Sequence, residues 1–338
     1  MKKILLLLLM VTVLVGMGQT VEASEKRMEV LGNLNGVIED LVVDSTKNPA
    51  RLIYAEDSKI VFDGNEFDMY SDSNAYLIDV VTDPTIFYRV NENLVVAGNL
   101  PIISKIYSDS PNNFYMYPKM MMAYNLNDKL TLGGAFETNI DSYNDYKPSR
   151  LEFKGGFDYI VDDSLTLDGS MNFINSNINI EGTNIMNFYT RGVKDITDWY
   201  DIVAVADLEF SDMAKRQRFK LGQNFDVYDS LVAYGIEVEN DILDSDDDET
   251  KINLKWGIEK EFNDKFTLRV GDSDRIIYIN KTTDETSYGT PRFSPSIGGK
   301  YKISDSTSID FSIGDTYFEK YTNDVSEFII NFALTKEF

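Results

Sequence analysis

The chain has 338 residues and contains neither cysteine nor histidine. Those two absences exclude disulfides, a lipid-modified cysteine, Ser–His catalysis and the usual zinc ligand sets. With 56 acidic and 32 basic residues the formal net charge is −24, and such a chain repels nucleic acid and attracts cations. We therefore expect no enzyme activity, no cofactor and no nucleic-acid partner.

Residues 1–23 have the composition of a secretory signal peptide. Lys2 and Lys3 precede an almost wholly apolar run, Ile4 to Val15, and Val21-Glu-Ala23 is a small-x-small cleavage pattern. A membrane-spanning helix needs about twenty apolar residues, which is more than this run supplies. The sequence predicts export and removal of residues 1–23.

Residues 24–56 do not alternate between apolar and polar positions. Within them Arg27-Met-Glu-Val-Leu-Gly32 is followed by Ile38-Glu-Asp40 and by Asn48-Pro-Ala50. This order resembles the start of the long-chain fatty-acid transporter and related barrel families, in which the segment helps plug the lumen. The chain departs from that pattern because Arg51 stands where glycine commonly follows. The resemblance implies a periplasmic or luminal segment, and a simple turn before the first strand is the alternative.

A short turn recurs seven times, about every 35 residues, with the pattern apolar, x, acid, x, apolar. The copies are Val90–Leu94, Leu126–Leu130, Val161–Leu165, Ile196–Tyr200, Val227–Leu231, Phe262–Phe266 and Ile303–Thr307, and only Thr307 departs from the pattern. Asn and Asp tolerate left-handed backbone and accept hydrogen bonds from nearby backbone amides. The pattern therefore predicts seven β-hairpins in series.

Between the turns the chain alternates with a period of two. Around the third turn, for example, Leu151, Phe153 and Phe157 share one face of a predicted strand, and Glu152 and Lys154 lie on the other. The alternating segments are about 10–13 residues long, near the 9–11 residues that cross a membrane at a tilt. A water-soluble β-sandwich is the alternative, but its strands are usually about 5–6 residues long.

The last segment is amphipathic and ends in an aromatic residue. One face carries Phe328, Ile330, Phe332, Leu334 and Phe338. An amphipathic final strand ending in Phe resembles the C-terminal assembly signal of bacterial outer-membrane proteins. Lys336 departs from that signal because it stands where an apolar residue is usual.

Counting the hairpins gives the size of the predicted barrel. Seven turns join fourteen strands, the C-terminal strand adds one, and closure needs another near residues 58–67. We therefore predict an all-β, antiparallel up-and-down transmembrane β-barrel over residues 57–338, with about sixteen strands and short periplasmic turns. Fourteen strands is the alternative, if an early segment lies in the lumen instead.

Charged residues of both signs fall on the face that would line the lumen. The pore-lining candidates are Arg89, Glu137, Glu152, Lys154, Asp158, Asp168, Asp207, Glu209, Arg218, Lys220, Glu237, Lys255, Glu259, Arg269 and Asp310. Opposed rows of charge set the selectivity of channels, and plain solvation or salt bridging of the wall is the alternative. The excess of acid favours a mild preference for cations.

One acidic run is a weak candidate for calcium. Asp244, Asp246 and Asp248 lie close together, and clustered carboxylates suit Ca²⁺. The run does not fit an EF-hand, because Glu249 stands where glycine is required and Lys255 where the bidentate glutamate would be. A solvated extracellular loop is the alternative.

These observations predict a porin-like channel of the bacterial outer membrane for passive diffusion of small hydrophilic solutes. The alternatives are a gated transporter of hydrophobic ligands with an N-terminal luminal plug, or a structural surface barrel. Expected partners are outer-membrane lipid and lipopolysaccharide, the outer-membrane assembly machinery, and small solutes or ions. The sequence leaves a homotrimer and a monomer open.

Overall fold

The alternating segments form strands, as their period of two requires. A computed structural model describes residues 27–28, 31, 33–55, 58–72, 75–100, 102–107, 113–138, 140–141, 150–176, 183–211, 214–243, 248–282, 286–289, 295–304, 307–313 and 331–337. Among these residues no helix has the length and apolar character that spanning a bilayer requires.

In the part of the chain that the structure describes, two short helices with complete bounds precede twenty strands. The α-helix α1 is Leu41–Lys47 and a 3₁₀-helix is Pro49–Tyr54. The strands are β1 Lys59–Asp72, β2 Ala75–Asn91, β3 Leu94–Asn99, β4 Ile102–Tyr107, β5 Asn113–Met116, β6 Lys119–Asn127, β7 Leu130–Thr138, β8 Ile140–Asp141, β9 Arg150–Asp162, β10 Leu165–Ser176, β11 Thr183–Thr197, β12 Tyr200–Ser211, β13 Ala214–Asp226, β14 Ser230–Leu243, β15 Asp248–Asn263, β16 Phe266–Lys281, β17 Thr286–Tyr288, β18 Pro295–Ser304, β19 Thr307–Ile313 and β20 Asn331–Glu337.

Every strand pairs antiparallel with its neighbours. In four cases two short strands together occupy one position in the sheet. Both pair with the same neighbouring strand, or with two strands that themselves share a position. These cases are β3 with β4, β5 with β6, β7 with β8 and β17 with β18. Twenty strands less four leave sixteen positions among the described residues. The predicted all-β, up-and-down antiparallel architecture is confirmed, and the count agrees with the predicted sixteen.

The first and last strands are neighbours. The C-terminal strand β20 pairs with β19 on one side and with β1 on the other, where Leu334 lies opposite Phe62. Strand β1, which begins at Lys59, therefore takes the place that the sequence assigned to a strand near residues 58–67. The order of pairing thus returns to its starting strand.

In four of the recurrent turns an Asx side chain accepts a hydrogen bond from the backbone N–H two positions on. The side chain of Asn127 accepts hydrogen bonds from the backbone N–H of Lys129 (2.9 Å) and Leu130 (3.0 Å). Asn263 makes the same pair of contacts with Lys265 and Phe266. An Asx side chain that bonds its own backbone replaces a missing ladder contact, which explains why this residue type recurs at hairpin ends.

The two faces of the sheet differ in burial, as predicted. Apolar side chains such as Met120, Leu151, Phe153, Leu221 and Ile236 lie exposed on one face. The other face is polar and is largely buried. A β-sheet alone would leave that face open to solvent, so other residues must cover it. The covering comes from residues upstream of β1.

Candidate functional site

The polar face is covered by the described residues between 27 and 55, here called the luminal segment. The segment contacts β2, β7 and the strands from β9 to β15, always through the face of the strand opposite the exposed apolar one. A segment of this size reaches so many strands of a ring only from within the ring. The luminal segment therefore lies inside the barrel.

Helix α1 begins at a capping residue and is followed directly by the Asn-Pro-Ala sequence. The carboxylate of Asp40 accepts a hydrogen bond from the backbone N–H of Val43 (3.3 Å), the contact of a helix N-cap. Asn48 caps the 3₁₀-helix in the same way, because its Oδ1 accepts from the N–H of Ala50 (3.1 Å). Both caps hold the segment in a fixed shape against the wall.

Asn48 also attaches the segment to the barrel wall. Its Nδ2 donates to the backbone carbonyl of Phe157 (2.7 Å) and to Oδ1 of Asp168 (3.2 Å). The wall opposite is made of glycine: a Cβ at Gly156 would lie 2.0 Å from Asn48 Oδ1, and one at Gly133 would lie 2.1 Å from the backbone nitrogen of Ala50. The segment approaches the wall this closely only because no side chains stand there.

An ion-pair network joins the middle of the segment to the wall. Arg191 of β11 contacts Asp44 of α1 (3.0 Å) and Asp168 of β10 (2.7 Å). Arg51 of the segment contacts Asp158 of β9 (2.9 Å) and Glu39 (2.7 Å). Apart from Glu39 these side chains are at least nine-tenths buried, so the charges depend on one another for compensation.

The local electrostatics follow from burial beside these charges. Burial outweighs the nearby guanidinium of Arg191 and raises the pKa of Asp44 to about 6. The hydroxyl of Tyr54 donates to Asp158 (3.1 Å), and burial together with that carboxylate raises the pKa of Tyr54 to about 12. Tyr54 thus remains a hydrogen-bond donor at neutral pH.

Two further contacts hold the ends of the segment. The guanidinium of Arg27 donates to both carboxylate oxygens of Glu259, at 3.0 and 3.1 Å, and to Asp40 (3.3 Å). Glu259 is shared with Arg269, which also contacts Asp310 on β19. At the other end, Arg89 of β2 donates to the backbone carbonyls of Ile53 (2.6 Å) and Ala55 (3.0 Å).

Lysines of the wall bind the backbone of the segment. Lys220 and Lys255 each lie 2.9 Å from Glu237 of β14 and 3.3 Å from a carbonyl of the segment, that of Asn35 or Asn33 respectively. Lys47 of the segment pairs with Asp207 of β12 (3.0 Å). The pair of Lys47 with Asp207 is weaker than those of the buried network, because Lys47 is 44% exposed.

Two apolar clusters complete the contact. The first joins Leu52, Ile53 and Ala55 of the segment to Phe87, Val95, Ala97, Met121 and Ala123 of the wall. The second joins Met28, Leu31, Leu34, Val37, Ile38 and Val43 to Val203, Val205 and Ala233. Burial of apolar side chains stabilises the docked position by about 1.5–3 kcal/mol for each one fully covered.

Two cavities remain beside the segment. One cavity, of about 560 Å³, lies towards the turn ends of β11 to β13. The other, of about 330 Å³, lies farther from those turns. The smaller cavity is lined by charged side chains of both signs, namely Lys47, Asp207, Arg218, Lys220, Glu237, Glu239 and Lys255. Charged side chains line both cavities, in contrast to the apolar outer face of the barrel.

The structure places the fifteen pore-lining candidates on the inner face. Eight contact the luminal segment: Arg89, Lys154, Asp158, Asp168, Asp207, Lys220, Lys255 and Glu259. The other seven pair within the wall: Glu137, Glu152, Glu209, Arg218, Glu237, Arg269 and Asp310. Their role in lining a conducting pore stays a prediction.

Sequence reasoning missed several residues of the network. Arg191 lies on the same face of β11 as Tyr189 and Val193. Because that face carries both charged and apolar residues, the sequence does not show whether it points into the lumen. Arg27, Asp44 and Arg51 lie in a segment without periodicity, and their wall partners are more than 100 residues away. The one available signal was the Asn48-Pro-Ala50 sequence, which now holds the segment against the wall.

Some predicted residues lie outside the described part of the chain. These are the signal peptide at 1–23, Asp244 and Asp246 of the calcium candidate, and Phe328, Ile330 and Phe338 of the assembly signal. Asp248 begins β15, and Phe332 and Leu334 lie in β20. The calcium site and the assembly signal stay predictions, as does the domain boundary at 56/57.

No protein-family model matches the chain, and no curated protein matches it. Several solved structures are similar to the chain. A bacterial polysaccharide outer membrane secretin aligns with 83% of this chain and 98% of its own, at 9% identity and a TM-score of 0.53. The chain has the fold of a bacterial outer-membrane β-barrel.

Two further structures agree with this fold. The CymD monoaromatic hydrocarbon channel aligns with 93% of this chain and 97% of its own, at 12% identity and a TM-score of 0.50. CdiB from Acinetobacter baumannii aligns with 83% of this chain and 60% of its own, at 9% identity and a TM-score of 0.52. Identities this low establish the fold alone, so function is argued from the lumen.

Proposed function

We propose that the protein is a channel of a bacterial outer membrane that passes small polar solutes, and that the luminal segment gates it. The observation that carries this proposal is the docking of the luminal segment on the polar inner face through ion pairs, a kind of contact that a filled, permanently closed barrel does not require. An apolar core would stabilise such a barrel at least as well, because buried ion pairs cost desolvation.

A channel gated by the luminal segment differs from the permanently open channel that the sequence predicts. A sixteen-strand barrel is wide enough for an aqueous channel, but here the segment crosses its interior. Residues of the segment that bond wall charges, such as Arg27, Lys47 and Arg51, are replaceable by water and ions when the segment moves. Undocking would leave a wall of mixed charge with an acidic excess, which supports a mild preference for cations.

The test is conductance of the refolded mature chain in planar bilayers in KCl. We expect the full chain to be closed for most of the time and a variant lacking residues 27–55 to give discrete current steps that favour K⁺ over Cl⁻. A deletion variant that is folded but silent would refute the channel. Permanent steps of equal size from both proteins would refute the gate.

A reversible lock avoids reliance on the deletion. A Cβ at Gly222 would lie 2.4 and 2.7 Å from the two γ-carbons of Val37. The pair Val37→Cys and Gly222→Cys would therefore have its Cβ atoms within about 3 Å, and a small shift of the luminal segment away from the wall brings them to the ~3.5–4.5 Å of a disulfide. The chain has no other cysteine. We expect the oxidised pair to be silent and reduction to restore opening, while each single variant ignores the reductant. Unchanged opening in the oxidised, cross-linked protein would contradict gating by this segment.

A transporter of hydrophobic ligands is the second candidate. Its support is that undocking would expose apolar side chains of the wall, among them Phe87, Val95 and Val203, to the lumen, and CymD, with the same fold, is described as a monoaromatic hydrocarbon channel. Swelling of liposomes in sugars separates the two. Swelling supports the polar channel, and co-purified hydrophobic compound without swelling supports the transporter.

A further inference from the structure

The larger luminal cavity has an unusual charge balance. It measures about 560 Å³ and is lined by six carboxylates, those of Glu39, Asp40, Asp44, Asp195, Asp201 and Asp226. Only two cationic side chains, Arg27 and Arg51, line it. The smaller cavity beside it has nearly equal numbers of both signs, so the acidic excess is local.

Three of these carboxylates are not neutralised. Arg27 contacts Asp40 and Glu259, Arg51 contacts Glu39 and Asp158, and Asp44 contacts Arg191. By contrast, no ion pair joins Asp195, Asp201 or Asp226 to any cation in the described ranges. Asp195 lies directly opposite Asp201 in the pairing of β11 with β12, so two like charges meet without a partner, which is unfavourable in the empty cavity.

A buried acceptor lies beside these carboxylates. Asn224 of β13 is opposite Asp201 in the sheet, lines the cavity and is only 7% exposed. Its Nδ2 donates to the carbonyl of Val37 (2.7 Å), but its Oδ1 has no hydrogen-bond partner among the described residues. A buried acceptor without a donor costs about 1–3 kcal/mol, and a ligand N–H would satisfy it.

The rest of the lining is mostly apolar. Two hydroxyl-bearing residues, Tyr54 and Thr166, line the cavity together with the apolar side chains of Val37, Ile38, Leu41, Val193, Val203 and Leu231. Asp195 and Asp226 are exposed at its turn end. Within the described ranges no group of three acidic side chains is arranged to hold a metal ion. A cavity that combines carboxylates without cationic partners and apolar side chains fits a charged nitrogen carried by a hydrocarbon body.

We propose that this cavity binds small organic cations, namely aliphatic amines or guanidines, whose ammonium or guanidinium group lies among the carboxylates of Asp195, Asp201 and Asp226. The hydrocarbon body packs on Val193, Val203 and Leu231, and an N–H donates to Oδ1 of Asn224. The site names the solute class of the proposed channel and so rests on that function. Since Val37, Leu41 and Asp44 belong to the luminal segment, a bound solute contacts the gate itself.

The test measures binding to the closed protein and needs no current. Titration calorimetry of the full mature chain in detergent uses n-butylammonium as the probe, with n-butyrate and n-butanol as probes of equal length and different charge. We expect saturable binding of butylammonium that is at least about tenfold tighter than that of either control. Lengthening the amine by one methylene strengthens binding up to about fourfold if the body is buried.

A triple variant locates the site. Asp195→Asn, Asp201→Asn and Asp226→Asn together remove the unpaired charge, and we expect binding to weaken at least about tenfold. The matched control, Asp163→Asn with Asp198→Asn, removes carboxylates from turns at the same end but outside the cavity, and should leave the affinity within about twofold.

Three results would overturn the proposal: equal binding of butyrate, unchanged binding by the triple variant, or no saturable heat up to about 30 mM amine, an affinity too weak for a built site. The comparison of the three probes uses the unmodified protein, so it decides even if the triple variant fails to fold. A protein that binds amine but never conducts would refute the channel and leave the site standing.

Discussion

The guanidinium of Arg191 lies 2.7 Å from the carboxylate of Asp168, and both side chains are only 1% exposed. The same guanidinium reaches Asp44 of helix α1 at 3.0 Å. One wall residue therefore compensates a charge of its own sheet and a charge of the luminal segment. Any displacement of the segment leaves buried charge behind, unless water enters with the movement.

The first prediction concerns this arginine. Arg191→Met should weaken docking of the luminal segment by about 3–5 kcal/mol, because Asp168 and Asp44 then lose their shared partner in a buried place. The measurement is the open fraction in planar bilayers, together with cleavage of the segment by added protease. Arg218→Met is the control: Arg218 is 31% exposed and pairs with Glu239, so its loss should cost about 1 kcal/mol or less. Equal effects of the two variants would show that Arg191 does not stabilise docking of the segment more than Arg218 does.

The second prediction uses two adjacent glycines. Gly156→Ala places a Cβ 2.0 Å from Oδ1 of Asn48, whereas a Cβ at Gly155 meets nothing within 4 Å. Overpacking of this kind costs about 1–3 kcal/mol, which corresponds to roughly a 5- to 150-fold change in the ratio of docked to undocked segment. We expect longer openings from Gly156→Ala and none of that change from Gly155→Ala. If both variants open alike, the close approach of Asn48 does not hold the gate shut.

Much of the barrel was predictable because a strand with one polar and one apolar face shows its orientation in the sequence. Leu151, Phe153 and Phe157 are exposed on the outer face, as their spacing predicted. On β12 the run Ile202 to Ala206 is apolar at every position, so its faces were not distinguishable. Val203 in fact points inwards and is buried against the luminal segment.

The candidate site was less predictable for a physical reason. Alternation reports which face of a strand meets water or lipid, but it carries no information on what fills the lumen. The contact between Arg27 and Glu259 spans 232 positions of sequence, and neither residue has an unusual neighbour. Alternation predicts that the fifteen charged candidates face inwards. It does not predict that the luminal segment covers eight of them, because the sequence of that segment indicates only a periplasmic or luminal position.

The third prediction tests the membrane. Trp256 lies near the middle of β15 with the outward parity of Leu254, while Trp199 lies in a turn and is 52% exposed. The chain has two tryptophans, so Trp199→Phe and Trp256→Phe each leave one. In liposomes, lipids brominated deep in the acyl chain should quench Trp256 more strongly, and lipids brominated near the headgroup should quench Trp199, as an interfacial aromatic belt requires. No quenching of either residue would contradict a membrane-embedded outer face.

The fourth prediction concerns pH. Burial raises the pKa of Asp44 from 3.8 to about 6 when the segment is docked, and undocking returns the side chain to water and to its ordinary pKa. Between these two values the docked state binds more protons than the undocked state, so docking loses stability as pH rises. The loss is complete slightly above pH 6 and amounts to roughly 3 kcal/mol, since one pKa unit is about 1.4 kcal/mol. Acidification from pH 7 to pH 5 should therefore favour closure through this residue.

The variant Asp44→Asn isolates that contribution. The amide has nearly the shape of the carboxylate but carries no charge, so it should remove the part of the pH dependence that lies between about pH 4 and 6. Other groups near Asp44, namely Arg191, Arg51, Asp40 and Glu39, are present in both proteins and cancel in the comparison. The measurement is the open fraction against pH for the two proteins. A variant whose curve has the same slope as that of the unmodified chain would show that Asp44 does not take up the proton when the gate closes.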